Sequence, residues 1–206
     1  VYYIRITDNA DNVTIISTDG MAFDLTTPVI TGITNGTTYY TTQKFTVTEA
    51  NIADVKVNDN AVTDYTLAGN VDATYKVVVT DKAGNSTKVT VQMKTIASIS
   101  ESIKDLTESN VTGDNADIIK EAEETLAAVD TTYATDAEKA EIAAAQENIE
   151  ALQKVIEETE KEVSDIEAEA GALNPDTVTS DDKAEVEQFI GEMTDKLDDA
   201  NLTDEQ

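Results

Sequence analysis

The chain has 206 residues, of which 40% are apolar, and it contains three Phe, no Trp, no Cys and no His. This length is enough for one or two domains with aliphatic cores, while the absence of Cys and His excludes disulfides, thiolate metal sites and the imidazole that most often acts as a base near neutral pH. A formal charge of -28 argues against nucleic acid and anionic membranes as partners, because both would repel the chain.

The negative charge is concentrated in the second half of the chain. Residues 1–97 contain 10 acids and 7 bases, a net charge of -3, which leaves 32 acids and 7 bases, a net charge of -25, for residues 98–206. Tyr, Thr and Val dominate the first part, and Ala and Glu dominate the second. Such a shift predicts a β part followed by a helical part, with the boundary near Ile96.

The first predicted element is a β-hairpin, and it resembles a later one. The stretch YYIRITDNADNVTI, which begins at Tyr2, matches TYKVVVTDKAGNSTKVTV, which begins at Thr74, at one constant offset. This offset aligns Asp8 with Asp81 and Asn12 with Asn85. Its size equals one small domain, so we interpret residues 1–25 as the last two strands of a preceding repeat. The alternative is a chance match between two short hairpins.

Residues 26–97 predict an antiparallel β-sandwich. Apolar and polar residues alternate from Tyr75 to Thr80 and again from Lys88 to Met93, which is typical of strands with one buried face. Shorter alternating runs precede this hairpin, one of them from Val62 to Leu67, and a proline suited to an edge strand, Pro28, opens the set. About seven short strands in this range favour a sandwich.

This part of the chain resembles a known family. The run TPVITGITNG, followed by FTVTEANIADVKVNDNAV and ATYKVVVTDKAGNSTKVTV, is similar to the bacterial immunoglobulin-like repeats of large Gram-positive surface proteins and of secreted glycoside hydrolases. The resemblance covers residues 27–96. It implies an immunoglobulin-like sandwich that acts as a spacer or adhesion module.

The helical half also contains an internal repeat. The segment from Ser98 aligns with the segment from Asp165 at a second constant offset, which pairs Ile99 with Ile166 and Leu106 with Leu173. We therefore expect a three-helix bundle at 98–164 and the start of a second helical repeat at 165–206. The predicted helices cover 98–107, 114–130 and a third region from Thr135. These repeats resemble the acidic, FIVAR-like helical modules of Firmicutes cell-wall proteins.

The third predicted helix is unusually long. Thr135 followed by Glu138 has the spacing of a capping box, and apolar residues then recur every seven positions from Ile142. No Gly or Pro interrupts the chain from Thr135 to Ala170. The pattern predicts one continuous helix that joins the two helical repeats.

Two candidate binding sites stand out on the β part. Asp8 and Asp11 lie in an oxygen-rich turn of the kind that Ca²⁺ prefers, although the turn lacks the Gly and the distal Glu of an EF-hand loop; a plain hairpin turn is the alternative. Tyr39 and Tyr40 form a pair of adjacent rings, one of which could stack on a sugar, whereas the alternative is one core ring and one surface ring. The sequence implies no other cofactor.

No constellation indicates catalysis. Adjacent carboxylates occur at 123–124, 157–158 and 181–182, and a glycosidase needs only two, but on so acidic a surface they are typical of solvated helix faces. We therefore expect no enzyme. The leading hypothesis is a stalk or spacer of an extracellular bacterial surface protein, with neighbouring domains as partners. The alternative is an adhesion or carbohydrate-binding accessory module that recognises glycan or a host protein. A third hypothesis is that such a module is attached to a secreted glycoside hydrolase.

Overall fold

The computed structural model describes residues 1–18, 24–172, 179 and 183–199. Strands fill the first half of this range and helices fill the second. The change falls between Met93, the last strand residue, and Ile96, where the first helical turn begins. The predicted order of a β part followed by a helical part, with its boundary near Ile96, is confirmed.

The chain packs as two compact units that interleave along the sequence. The first unit contains residues 1–36, 45–65 and 75–91, and the second contains 37–44, 66–74 and the described residues from Gln92 onward. We call 37–44 and 66–74 the inserted segments. The sequence assigned both of them to the domain 26–97, but they are grouped with the helices.

The strands are short except for the last two. They are β1 (Tyr3–Thr7), β2 (Val13–Ser17), β3 (Val29–Thr31), β4 (Thr38–Tyr39), β5 (Gln43–Lys44), β6 (Thr46–Thr48), β7 (Ile52–Val57), β8 (Asn60–Ala61), β9 (Thr66–Leu67), β10 (Ala73–Asp81) and β11 (Ser86–Met93). Among the described residues, β4, β11, β10, β7 and β8 form one sheet in that order, and β1–β2, β3–β6 and β5–β9 form separate pairs.

The alternation predicted for the β10–β11 hairpin is confirmed. Val77 and Val79 are fully buried on β10, and Val89 and Val91 are buried on β11. The β7 strand pairs antiparallel with β10, which places Val55 opposite Val79. The apolar face of this hairpin therefore belongs to the core of the first unit.

The run predicted at 62–67 is divided differently. One two-residue strand, β8, ends directly before this run, and another, β9, forms its last two residues. Asn58 and Asp59 both have positive φ angles, of 49° and 65°, and residues of this type tolerate that conformation in a tight hairpin. The resulting turn pairs β8 with β7, so the strand begins earlier than its hydrophobic pattern indicates.

The helices of the second unit are α1 (Ala116–Ala127), α2 (Asp136–Ala172) and α3 (Lys183–Asp199), preceded by 3₁₀ turns at Ile96–Ile99, Glu101–Ile103 and Gly113–Asn115. The prediction of a helix at 98–107 was wrong in type, because 3₁₀ turns occupy this stretch. Backbone hydrogen bonds there join residues three apart, and the Ser98 hydroxyl also donates to the Thr95 carbonyl. Serine side chains compete for backbone groups in this way and disfavour regular helix.

One apolar core joins these elements. It combines the first two 3₁₀ turns and Val111 with one face of α1 and one face of α2, through Ile96, Ile99, Ile103, Val111, Ile119, Ala122, Leu126, Ile142, Ile149, Leu152 and Ile156. Tyr40, from an inserted segment, packs against the same cluster. The core of the second unit therefore includes a residue that lies far before the first helix in the sequence.

The continuous long helix is confirmed. α2 runs for 37 residues without a break, a length of about 55 Å from the rise per residue of an α-helix. Its apolar seam is well covered as far as Thr159, a buried polar residue, and only half-buried at Val163 and Ile166. α3 contacts α2.

At one aligned pair of the predicted helical repeat, the two positions differ in conformation. Ile99 lies in a 3₁₀ turn, whereas its counterpart Ile166 lies within α2. The counterpart of Leu106, Leu173, lies outside the described residues.

Candidate functional site

The turn that contains Asp8 and Asp11 is closed by the Asp8 carboxylate. Asp8 Oδ1 accepts hydrogen bonds from the backbone amides of Ala10 and Asn12, at 2.8 and 2.9 Å, and Oδ2 accepts one from the Asn12 side chain at 2.8 Å. These hydrogen bonds hold the pKa of Asp8 below its usual value, and the one from the Asn12 side chain contributes most. Asp11 occupies the position with a positive φ, 60°.

The turn between β10 and β11 has the same construction. The Asn85 amide and side chain donate to the two carboxylate oxygens of Asp81, each at 2.8 Å, and Gly84 takes the positive φ position at 94°. The two turns thus match at the aligned residues, Asp8 with Asp81 and Asn12 with Asn85. Burial raises the pKa of Asp81, but the hydrogen bonds from Asn85 and from the Ala83 and Gly84 amides together outweigh it and leave that pKa below its usual value.

The structure assigns the Asp8 oxygens to the turn itself. Within the described ranges, no group of three or more acidic side chains is arranged to hold a metal ion. At the predicted calcium site, the Asp8 carboxylate already accepts three hydrogen bonds from the turn. Asp11 lies beside it in the same turn.

Tyr39 and Tyr40 lie in the second unit, where their backbone is fixed by two neighbours. β4 runs parallel to the end of β11 and places Tyr39 opposite Met93, and the Tyr39 carbonyl accepts a hydrogen bond from Lys94 at 2.9 Å. The next carbonyl, that of Tyr40, accepts one from the Asn70 amide at 2.8 Å. Both side chains are half-buried.

Asn70 joins an inserted segment to the helices. Its side chain donates to Glu141 Oε2 at 2.6 Å and accepts from the Ile96 amide at 2.8 Å. Its backbone has a positive φ of 52°. Asn70 therefore links the start of the first 3₁₀ turn to α2.

Glu138 fixes the other inserted segment. Its Oε1 accepts from the Thr42 amide and hydroxyl at 2.9 and 3.0 Å, while Oε2 accepts from the Thr135 amide at 2.7 Å. The Thr135 hydroxyl in turn accepts from the Glu138 amide at 3.2 Å, so the predicted capping box is formed. The Thr41 hydroxyl donates to the Asp130 carbonyl close by. These contacts hold Tyr39 and Tyr40 in place.

A groove lies beside the two tyrosines. It consists of two open cavities of about 450 and 470 Å³ that share Tyr40, Glu121 and Thr125 as lining residues. Tyr39, Val129 and Asp130 line the first cavity. Glu101 lines the second. We call this feature the tyrosine groove.

One face of α1 forms a wall of the groove. Glu121, Glu124 and Thr125 of α1, with Ala128 directly after the helix, recur at the three- and four-residue spacing that aligns side chains along a helix. The adjacent face, with Ile119, Ala122 and Leu126, is buried in the core. Because α1 buries its apolar face in the core, the neighbouring face, with Glu121 and Glu124, lines the groove.

The groove is acidic. Glu101, Glu121, Glu124 and Asp130 line it, and its lining residues include no Lys or Arg. Lys120 lies 3.9 Å from Glu124 and Lys104 lies 2.6 Å from Glu101, whereas Glu121 has no ion-pair partner among the described residues. The hydrogen bond from Thr132 holds the pKa of Asp130 below its usual value.

Of the adjacent carboxylates considered for catalysis, the structure describes the pairs at 123–124 and 157–158. Glu123 accepts a hydrogen bond from Gln153, and Glu158 pairs with Lys154 at 3.4 Å. Glu124 lines the groove, while Asp181 and Asp182 lie outside the described residues.

The comparisons with known proteins gave no assignment: no family model, no curated protein and no solved structure matches the chain. None of the helices in the described part is both long enough and apolar enough to cross a membrane.

Sequence reasoning singled out the tyrosines but not their surroundings. Glu121 and Asp130 looked like ordinary surface acids, because many similar acids occur on the same helices. Asn70 and Glu138 join segments 71 and 96 residues apart, and no periodic pattern marks such pairs. Glu138 was identified only as part of a capping box.

Proposed function

We propose that this chain is a non-catalytic stalk or spacer segment of a modular extracellular bacterial surface protein, in which immunoglobulin-like repeats precede acidic helical repeats. Its partners are then the neighbouring domains of the same polypeptide. The proposal rests on the resemblance of residues 27–96 and on one structural observation, the relationship between two hairpins.

The β1–β2 hairpin has the turn of β10–β11 but not its burial. Ile4 and Ile16 lie opposite each other and are 56% and 51% exposed, whereas the residues aligned with them, Val77 and Val89, are 0% and 7% exposed. Two hairpins with the same turn and the same apolar positions are expected to use the same face. The β1–β2 hairpin therefore has the properties of a repeat end whose remaining strands are supplied by another segment.

The long helix supports a spacer role for the second half of the chain. A continuous helix of 37 residues, about 55 Å long, holds its two ends apart. Its seven-residue apolar spacing, from Ile142 through Ile156, is the pattern by which helices pack along their length.

The tandem-repeat proposal can be tested by completing the first repeat. A second copy of residues 27–73 placed directly before Val1 gives the β1–β2 hairpin the strands that precede β10–β11, and it should bury the Ile4 and Ile16 face. We expect the β1 and β2 amides to become protected from hydrogen exchange in the extended chain.

The matched variants are Ile16→Asp and Ile15→Asp, which make the same change on opposite faces of β2. Ile15 aligns with Lys88, which is exposed. In the extended chain, Ile16→Asp should lower the melting temperature of the added domain, while Ile15→Asp should have little effect. If the added domain melts cooperatively, unprotected β1 and β2 amides or equal effects of the two variants would contradict the tandem-repeat proposal.

The second candidate function is an adhesion or carbohydrate-binding accessory module. The observation that favours it is the tyrosine groove, because adjacent aromatic and carboxylate side chains in a cavity are common in recognition sites. Binding of the chain to a glycan array or to host proteins, retained at moderate salt, tests this candidate.

A further inference from the structure

We propose that the tyrosine groove binds a Lys or Arg side chain of a basic polypeptide partner. This inference goes beyond the stalk proposal and does not depend on it. It concerns a site that lies within the second unit and whose lining combines apolar surface with negative charge.

The lining of the groove fits an amphipathic cation. Tyr40, Ala128 and Val129 offer apolar surface, and Glu121 and Asp130 add negative charge beside it. Lys and Arg have an apolar stem and a charged head, and a tyrosine ring attracts such a head through its π face. The chain contains an example in the same unit, since Lys44 Nζ lies 5.7 Å from the centre of the Tyr133 ring.

Charge complementarity distinguishes this ligand from a neutral sugar. The groove contains four carboxylates and no base, so it presents mainly hydrogen-bond acceptors, whereas hydroxyl groups of a sugar both donate and accept.

The arrangement of the acids also disfavours a single metal ion. Glu121 and Glu124 are separated by one helical turn, while Asp130 lies beyond the end of α1. Among the described residues, these side chains do not form a group that could hold a metal. Separated charges along an open groove suit an extended cationic chain.

The experiment uses the full chain and a short peptide, acetyl-Gly-Arg-Gly-Arg-Gly-amide, with the matching Gln peptide as a neutral control. Titration is followed in ¹H–¹⁵N NMR spectra at low and at physiological salt. We expect shifts at residues 37–40 and 121–130 with the Arg peptide, and none with the Gln peptide.

Two double variants separate the groove from the general negative field. Glu121→Gln with Glu124→Gln alters the groove, and Glu147→Gln with Glu150→Gln removes the same charge at the same spacing from exposed positions of α2. In the groove variant, loss of two exposed ion pairs should lower the affinity for the Arg peptide by about tenfold. The α2 variant should bind within about twofold of the parent chain.

Three outcomes would overturn the proposal. Equal weakening in both double variants would mean attraction to the overall charge alone, and shifts scattered over the helices would mean the same. Shifts at the groove with a neutral hexasaccharide, in the absence of shifts with the Arg peptide, would make it a sugar site. The stalk proposal would be unaffected by any of them, because its test concerns the β1–β2 hairpin.

Discussion

The Glu138 carboxylate accepts two hydrogen bonds from Thr42, a residue 96 positions earlier in the chain. The same carboxylate caps the first turn of α2 through the Thr135 amide. One buried side chain, 4% exposed, thus satisfies both a helix terminus and a distant loop. The packing of the inserted segment 37–44 and the start of α2 are therefore linked.

Replacement of Glu138 by Ala should destabilise the second unit by about 2–3 kcal/mol, because it leaves the part-buried Thr42 amide without its acceptor and removes the cap. Glu138→Gln keeps one acceptor oxygen and should lose less. Urea unfolding followed by circular dichroism measures both. Exposed Glu147→Ala is the control and should change stability by less than about 0.5 kcal/mol; a similar loss there would contradict this role of Glu138.

Gly69→Ala should destabilise the second unit strongly. A Cβ at this position would overlap both the Thr41 carbonyl carbon and the Thr42 nitrogen. These are backbone atoms, so relieving the overlap requires distortion of the main chain. Gly191→Ala, in open space within α3, should instead stabilise its helix by up to about 1 kcal/mol. Thermal melts of the two variants should shift in opposite directions.

Acid should weaken the two matched turns. The folded-state pKa values of Asp8 and Asp81 are lowered, so their contribution to stability is present above the unfolded pKa, about 4, and is lost as the pH falls through the folded value. The Asn12 and Asn85 amide resonances should lose their hydrogen-bonded shifts below about pH 4. In Asp8→Asn, the acid-dependent change should disappear at Asn12 and persist at Asn85.

Added salt should stabilise the helices more than the strands. Residues 98–206 have a net charge of -25 against -3 for 1–97, and salt screens repulsion beyond a Debye length of about 8 Å at physiological ionic strength. Hydrogen exchange of α1 amides should slow as sodium chloride is raised, while exchange of β10 amides changes little. Equal responses would count against self-repulsion in the helices.

Continuity of α2 can be measured by spin labelling, since the chain has no cysteine of its own. Labels at Glu147→Cys and Glu167→Cys should give a narrow distance distribution centred on about 30 Å, the rise of an α-helix between these two positions. Glu158→Pro should shorten and broaden it, because proline breaks a helix interior. Glu158→Ala should leave the distribution unchanged. A broad distribution in the doubly labelled chain without a change at Glu158 would contradict a continuous helix.

Local patterns predicted those elements whose physical causes are local. The alternation at Val77, Val79 and Val89 marks strands because successive side chains point to opposite faces. Thr135 and Glu138 mark the start of α2 because a capping box needs only residues three apart. The type of structure at 98–107 was missed, because the competition of the Ser98 hydroxyl for a backbone carbonyl leaves no periodic signal.

The sequence by itself determined the order of strands and helices, the boundary near Ile96 and the unbroken run of α2, since alternation, heptad spacing and the absence of helix breakers act over a few residues. Only the tertiary structure decided that Thr42 and Asn70 pack with α2 and that Tyr40 lies beside Glu121. The two contacts with α2 join residues 96 and 71 positions apart. They depend on how buried polar groups find partners once the chain is compact, which no local pattern encodes.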